Sequence, residues 1–180
     1  LGYRCNQSCS HCHVDAGPNR TEEMQPETID LVFEYIDQWG IRTLDLTGGA
    51  PELHPLFKQT VRRARQRDLH IIDRCNLTVL LEEGQEASAN FLAKNEVHII
   101  ASLPCYSPEN VDTQRGKGVY LRSIEGMMKL NKQGYGRDGS GLSLDLVYNP
   151  QGTDLPPDSK MLECDYKREL AHQGVFFNQL

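Results

Sequence analysis

The sequence predicts an α/β fold on parallel strands, either an open sheet or a barrel. Two observations carry this expectation. Short strand-like apolar runs alternate with helical patterns along the whole chain, and two of those runs switch polar and apolar residues with period two.

Each element has its own local reason. Behind a cysteine-containing loop, Pro26 to Trp39 reads as a helix with Ile29, Val32, Phe33 and Ile36 on one face, ended by Gly40. Ile41 to Thr47 is a strand, closed by the turn Gly48-Gly49-Ala50-Pro51. A helix from Pro55 to Arg67 leads to a strand from Leu69 to Cys75, and a helix from Gln85 to Ala93 to the strand Val97 to Leu103. Tyr120 to Gln133, bounded by Gly118 and Gly134, is a helix with Leu121, Ile124 and Met128 on one face. Leu142 to Tyr148 is a strand, residues 149–157 a long loop, Asp158 to His172 a helix, and Val175 to Asn178 a last strand. No internal repeat, low-complexity tract or linker divides the chain, so residues 1–180 read as one domain.

In the strand Leu142–Asn149, the residues Leu142, Leu144, Leu146 and Tyr148 share one face, and Ser143, Asp145, Val147 and Asn149 the other. Thr43, Asp45 and Thr47 likewise alternate with Leu44 and Leu46. Parallel strands covered on both faces usually read as continuous apolar runs. A polar lumen on one side explains the alternation; two edge strands with one wet face would also produce it.

The 180 residues can bury a real core, and 24% charged with 38% hydrophobic residues is ordinary for a globular chain. A net charge of -6 argues against nucleic acid or a polybasic membrane surface as partner. No apolar run reaches bilayer-spanning length. The chain opens at Leu1 rather than Met and stops inside the strand-like run Phe176-Phe177-Asn178-Gln179-Leu180, so it reads as a fragment truncated at both ends. Six cysteines are too few for a disulfide scaffold, and three of them crowd into eight positions, which suits a metal site in a reducing, cytoplasmic setting.

Those three are Cys5, Cys9 and Cys12, in C-x₃-C-x₂-C spacing. Thiolates select Zn, Cu(I) or Fe–S. Three of them on a short loop can each hold one iron of a cubane and leave the fourth iron open. Three other readings compete. Cys9-Ser10-His11-Cys12-His13 fits the C-x-x-C-H haem attachment pattern, but that leaves Cys5 and the βα order unexplained. Cys5, Cys9 and Cys12 with His13, or with His11, could form a closed zinc site. Unliganded thiols are the remaining possibility. The turn Thr47-Gly48-Gly49-Ala50-Pro51-Glu52, one βα unit later, separates the readings, because paired glycines let backbone approach a ligand closely.

Cys5–Cys12 followed by Gly48–Pro51 resembles the radical SAM superfamily, whose members carry a CxxxCxxC loop after the first barrel strand and a GGEP-like segment after the second. The resemblance implies a partial (β/α)₆ TIM-like barrel with its site at the C-terminal strand ends. It implies a [4Fe–4S] cluster on Cys5, Cys9 and Cys12, and S-adenosylmethionine chelating the open iron, its amino group against Gly48, Gly49, Ala50 and Pro51. Reduction by an external electron donor such as flavodoxin or ferredoxin then yields methionine and a 5′-deoxyadenosyl radical, so the cofactor carries the hard chemistry. Two departures stand out: His11 replaces a usual aromatic residue, and Ala50 replaces the Glu of GGEP, so that carboxylate's role is absent or passes to Glu52.

Cys12-His13-Val14-Asp15-Ala16-Gly17-Pro18, Ser102-Leu103-Pro104-Cys105-Tyr106, Gln114-Arg115-Gly116-Lys117-Gly118 and Leu146-Val147-Tyr148-Asn149-Pro150-Gln151-Gly152 are similar to the arsenosugar-biosynthesis (radical SAM/Cys-rich) proteins. That family has a cysteine-rich C-terminal region, which these 180 residues lack. The implied small-molecule substrate is a methylated trivalent arsenic compound receiving the radical. A maturase of a peptide or cofactor precursor, and a non-catalytic zinc-stabilised α/β module, are the alternatives. By position at strand ends Asn76, Ser102 and Asn149 are candidates to contact S-adenosylmethionine, Arg115 to pair with its carboxylate, and Cys105 to meet a thiophilic substrate. Cys75 and Cys164 read as core residues; His54, His70, His98 and His172 show no ligand spacing.

Overall fold

A computed structural model describes residues 1–10, 12–150 and 155–180. The first helix, α1 (Pro26–Trp39), has Pro in its first turn and stops at Gly40, whose left-handed backbone (φ 63°) brings its N–H to the Ile36 carbonyl. Its buried stripe is Ile29, Phe33 and Ile36. Helix α2 (Phe57–Arg65) runs alongside, and the guanidinium groups of Arg63 and Arg67 lie 4.3 and 4.9 Å from the Phe33 ring centroid. Arg67 also grips Asp37 through two nitrogens.

Four parallel strands form one sheet in sequence order: β1 (Thr43–Leu46), β2 (His70–Cys75), β3 (His98–Ser102) and β4 (Leu144–Val147). The register Leu46↔Asp73, Asp73↔Ile99, Ile99↔Leu144 sets one row of side chains on one face. That face carries the buried Leu46, Ile71, Cys75, Ile99, Ala101, Leu144 and Leu146. The other face carries the charged and polar groups, with Ile72, Ile100 and Val147 among them. Arg74 forks onto Asp45, and His98 Nε2 meets Asp145 Oδ2 at 2.8 Å. Because the inner strands β2 and β3 contribute Arg74 and His98, the alternation seen in β1 and β4 is not an edge effect. The inner strands interrupt it with Ile72 and Ile100, and β4 with Val147, so this face is mixed rather than uniformly polar.

All four strands are shorter than expected by one to three residues in total, and the helices differ more. A short helix, α4 (Pro108–Arg115), was not expected, because its residues PENVDTQR are too polar to show periodicity. The Ser107 side chain accepts from the Asn110 amide and Pro108 opens the first turn, which is a readable start signal. Helix α3 (Ser88–Lys94) begins after a 3₁₀ turn, Leu77–Leu81, has consumed the apolar run.

Helix α5 (Val119–Lys132) buries Tyr120, Ile124, Met127 and Leu130, while Leu121 and Met128 of the expected face are exposed. The helix is rotated by a close approach: a Cβ on Gly126 would overlap the Leu77 carbonyl oxygen. Helix α6 (Ser159–His172) is capped by Asp158, which accepts from the Lys160 and Met161 amides. Cys164 on it is exposed rather than core.

The expected last strand, Val175 to Asn178, does not form as one. Asn178 N bonds to Leu144 O and Leu146 N to Gln179 O, but the Asn178 side chain takes the Leu144 amide that a continuing ladder would need. Among the described residues no helix is long and apolar enough to cross a membrane.

One buried bond fixes the back of the sheet. The Tyr135 hydroxyl, fully buried, donates to the Val97 carbonyl at 2.7 Å. Tyr135→Phe strands that carbonyl, and the expected loss of about 1–3 kcal/mol should appear as a lower urea midpoint at unchanged slope.

Candidate metal and cofactor site

The cysteine loop is pinned at both ends by backbone. Cys5 N donates to Gly17 O at 3.1 Å and Gly17 N to Tyr3 O at 3.1 Å, while Ser10 N and Oγ both reach Gln114 O at the end of α4. The turn after β1 zips onto the entry to this loop: Gly49 N donates to Gly2 O at 2.8 Å and Ala50 N to Arg4 O at 2.9 Å. A Cβ on Gly49 would overlap Arg4 O, and Gly48 combines φ 139° with an equally close Gly2 O. The paired glycines therefore serve a backbone-to-backbone approach, where their sequence pattern had suggested an approach to a ligand.

Cys5, Cys9, Cys12, Gly48, Gly49, Asn76, Ser102 and Arg115 line one cleft of about 350 Å³. That volume falls within the roughly 300–1,000 Å³ of small-molecule sites. Ala50 and Pro51 are buried and do not line it. Asn149 and Cys105 lie elsewhere: they line an adjoining cavity of about 190 Å³ with Gln114 and Tyr148. Glu52 is 4% exposed and does not line the cleft, so it does not stand in for the carboxylate absent at Ala50.

Polar groups around the sulfurs are specific. Asn76 Nδ2 donates to Cys5 Sγ at 3.3 Å and to Asn6 Oδ1 at 2.7 Å, and Ala16 N donates to Cys12 Sγ at 3.3 Å. The Cys9 thiol donates to Gln7 Oε1 at 3.5 Å, and Gln7 Nε2 to Thr78 Oγ1 at 2.8 Å. Burial pushes the Cys5 thiol pKa up, opposed by the Gln7 backbone and Asn76 hydrogen bonds. Arg115 is 6% exposed; its Nη1 donates to the Ser102 carbonyl, and its Nε has no partner among the described residues. A buried cation with a donor to spare at a cleft wall suits an anionic ligand group.

The three loop thiols line one cleft, two of them held by N–H donors, and form the soft donor set that an iron–sulfur cluster or a zinc ion takes. His13 is exposed, and His11 lies outside the described residues, as do Gln151 and Gly152 of the last motif. Sequence reasoning missed Gln7, Thr78 and Gln114. Gln7 had a usable signal in its place between two of the cysteines; the other two had none.

Comparison with known proteins agrees with this geometry. The profile of the Radical SAM superfamily matches residues 1–148. A probable GTP 3′,8-cyclase of Pyrococcus abyssi is 28% identical over 135 residues, 75% of this chain and 43% of that protein. The antilisterial bacteriocin subtilosin biosynthesis protein AlbA of Bacillus subtilis is 24% identical over 139 residues, 74% of this chain and 30% of that protein. The chain thus spans less than half the length of either relative. In fold it is similar to Streptococcus suis SuiB bound to S-adenosylmethionine, with a TM-score of 0.67 at 11% identity over 99% of this chain and 40% of SuiB.

Proposed function

The chain belongs to the radical SAM superfamily, and from that premise we propose that its cleft binds a [4Fe–4S] cluster and S-adenosylmethionine for reductive cleavage. The observation that carries this reading is a single cleft lined by three cysteine thiols, a paired-glycine turn and a buried arginine whose Nε is unpaired among the described residues. Cys5, Cys9 and Cys12 would hold the cluster, with Asn76 and the Ala16 amide steadying two of the sulfurs. When bound, cluster and S-adenosylmethionine together supply the 5′-deoxyadenosyl radical, at the expense of one electron from a donor such as flavodoxin or ferredoxin.

The protein's share is positioning. With the Gly49 and Ala50 amides already spent on Gly2 and Arg4, the turn offers carbonyl oxygens, the polarity an α-ammonium group needs. Arg115 faces the same cleft and matches the α-carboxylate. Asn76 and Ser102 remain in reach of the rest of the molecule, whereas Asn149, in the adjoining cavity, belongs nearer the acceptor.

For that acceptor we read a methylated trivalent arsenic compound, which the arsenosugar-biosynthesis resemblance implies. Cys105 in the adjoining cavity gives it local support: its Sγ, which accepts from Ser107 N and Asn110 Nδ2, both at 3.4 Å, is a soft sulfur donor of the kind a thiophilic centre binds. A peptide or cofactor-precursor maturase is the second reading, supported by the likeness to AlbA.

Anaerobic reconstitution with iron and sulfide should give a brown protein with an EPR signal perturbed by S-adenosylmethionine. A colourless protein holding stoichiometric zinc would refute the assignment in favour of the zinc module. A 5′-deoxyadenosyl–arsenic adduct would support the first acceptor, and free 5′-deoxyadenosine with a modified peptide the second.

A further inference from the structure

Directly behind the Gly48–Pro51 turn, on the helix-facing side of the sheet, Glu52, Asp73 and Cys75 bring their ligating atoms within 4.8 Å of one another. Glu52 is 4% exposed, and Asp73 and Cys75 are 0% exposed. Apart from an approach of the Glu52 carboxyl to its own amide, none of the four carboxyl oxygens finds an N–H or hydroxyl donor outside the trio among the described residues. Two carboxylates cannot be sealed side by side in a core without a neutralising proton or cation. The three groups pack directly on one another, with the Asp73 carboxyl and the Cys75 thiol in donor positions toward Glu52.

We propose that Asp73 and Glu52 share a proton behind the turn, closed by the Cys75 thiol, and that this bonded trio positions the turn and the cysteine loop together. The connections run both ways. Glu52 follows Pro51 in the chain, and its own carbonyl is held by Gln85 Nε2 at 3.1 Å. Cys75 is followed by Asn76, the side chain that donates to Cys5 Sγ. Glu52 and Asp73 are thus positioning residues, acting through the backbone at Ala50–Pro51 and through Asn76.

Burial, and then the neighbouring Glu52 charge, raise the Asp73 pKa well above the usual carboxylate range; burial raises Glu52 as well. The other ionisable groups acting on the trio are Asp45 on β1, already paired with Arg74, Tyr135 after α5, bonded to Val97, and Arg115 on α4, held by Ser102. None of them supplies a competing proton acceptor at the pair.

The sign of the consequence follows. A raised folded-state pKa stabilises fully below the unfolded value of about 4, and that stability drains away as pH rises toward the folded value. Over this window each retained proton multiplies the unfolding equilibrium constant about tenfold per pH unit.

The test is urea unfolding of the cluster-loaded chain between pH 5 and 8, for wild type, Glu52→Gln and Asp73→Asn. The wild type should show this slope, and each amide variant should lose about one proton's worth of it. Equal slopes in all three would overturn the proposal. Should the variants not fold, the infrared C=O stretch of a protonated carboxylic acid in the folded wild type at pH 7 decides alone, its absence being fatal. Metal analysis adds a third arm: a divalent ion beyond the cluster iron that Asp73→Asn removes would replace the proton with a cation and sink the idea.

The positioning half rests on the S-adenosylmethionine reading above. Asp73→Asn, a neutral isostere of the protonated acid, should keep ligand affinity flat with pH, while the wild type weakens toward high pH and Asp73→Ala is weak throughout. A ligand affinity equal in Asp73→Ala and wild type would refute it. Wild type that binds no S-adenosylmethionine at all would instead refute the cofactor site and leave the unfolding slopes to judge the shared proton.

Discussion

Arg115→Leu is expected to weaken S-adenosylmethionine binding by about 10²–10³-fold, as judged by calorimetric titration of the reconstituted protein. Removing one partner of a buried ion pair costs about 3–5 kcal/mol, and each 1.4 kcal/mol is tenfold in affinity. The guanidinium is also a structural strut for the Ser102 carbonyl, so the variant should lose about 1–3 kcal/mol of stability as well. Arg115→Lys separates the two roles. It keeps the charge but not the planar fork, and should fall between wild type and Leu in affinity. Affinity unchanged in Arg115→Leu would remove the residue from the site and leave it only the strut.

Gly49→Val should also be damaging, to a smaller extent and by a different route. The new Cβ overlaps the Arg4 carbonyl, which is backbone and cannot swing aside as a side chain would. Either the turn backs away from Gly2–Arg4 or the entry to the cysteine loop moves. Both break the Gly49–Gly2 and Ala50–Arg4 hydrogen bonds. Overpacking of about 1–3 kcal/mol concentrated there should lower ligand affinity by about tenfold or more and reduce iron retained per chain. Gly40→Ala is the matching control. Its φ of 63° disfavours alanine by about 1 kcal/mol, yet its Cβ meets nothing within 4 Å. It should lower the unfolding midpoint and leave iron and ligand binding alone. Equal effects from the two substitutions would mean that the close approach at Gly49 does not matter.

The strands and the long amphipathic helices were legible because burial dictates their pattern: Ile29, Phe33 and Ile36 repeat at helical spacing because they face one core. Helix α4 escaped because only Val111, Gln114 and Arg115 of its eight residues are buried, so it writes no apolar stripe. The face of α5 was misread because Gly126, invisible to a hydrophobicity pattern, decides which side approaches Leu77. In the cleft, close spacing singled out Cys5, Cys9 and Cys12 as a group; Arg115, at the end of α4, came only from its charge, and strand-end position brought Asn76 and Ser102 to the same wall. The same rule put Asn149 there wrongly. Its strand β4 ends at Val147, and the chain then turns so that Asn149 bonds to Pro104 and Gln114 instead. Glu52 and Asp73 offered no sequence signal as a pair, since their adjacency comes from the short 3₁₀ turn Pro51–Leu53 packing against β2.

The bond from Ser10 to Gln114 has a consequence for how the protein is made. Its partners are 104 residues apart, so during translation the cysteine loop leaves the ribosome long before the wall that it leans on. At about 5–20 residues per second, that wait is roughly 5–20 s. Asn76, which clasps Cys5, also arrives late, 71 residues downstream. Because the strands pair in sequence order, the sheet can grow behind the emerging chain, while the thiols nearest the N-terminus stay exposed until α4 docks. On the proposed cluster assignment, iron loading would follow synthesis, and Cys5, Cys9 and Cys12 are most open to oxidants on the nascent chain.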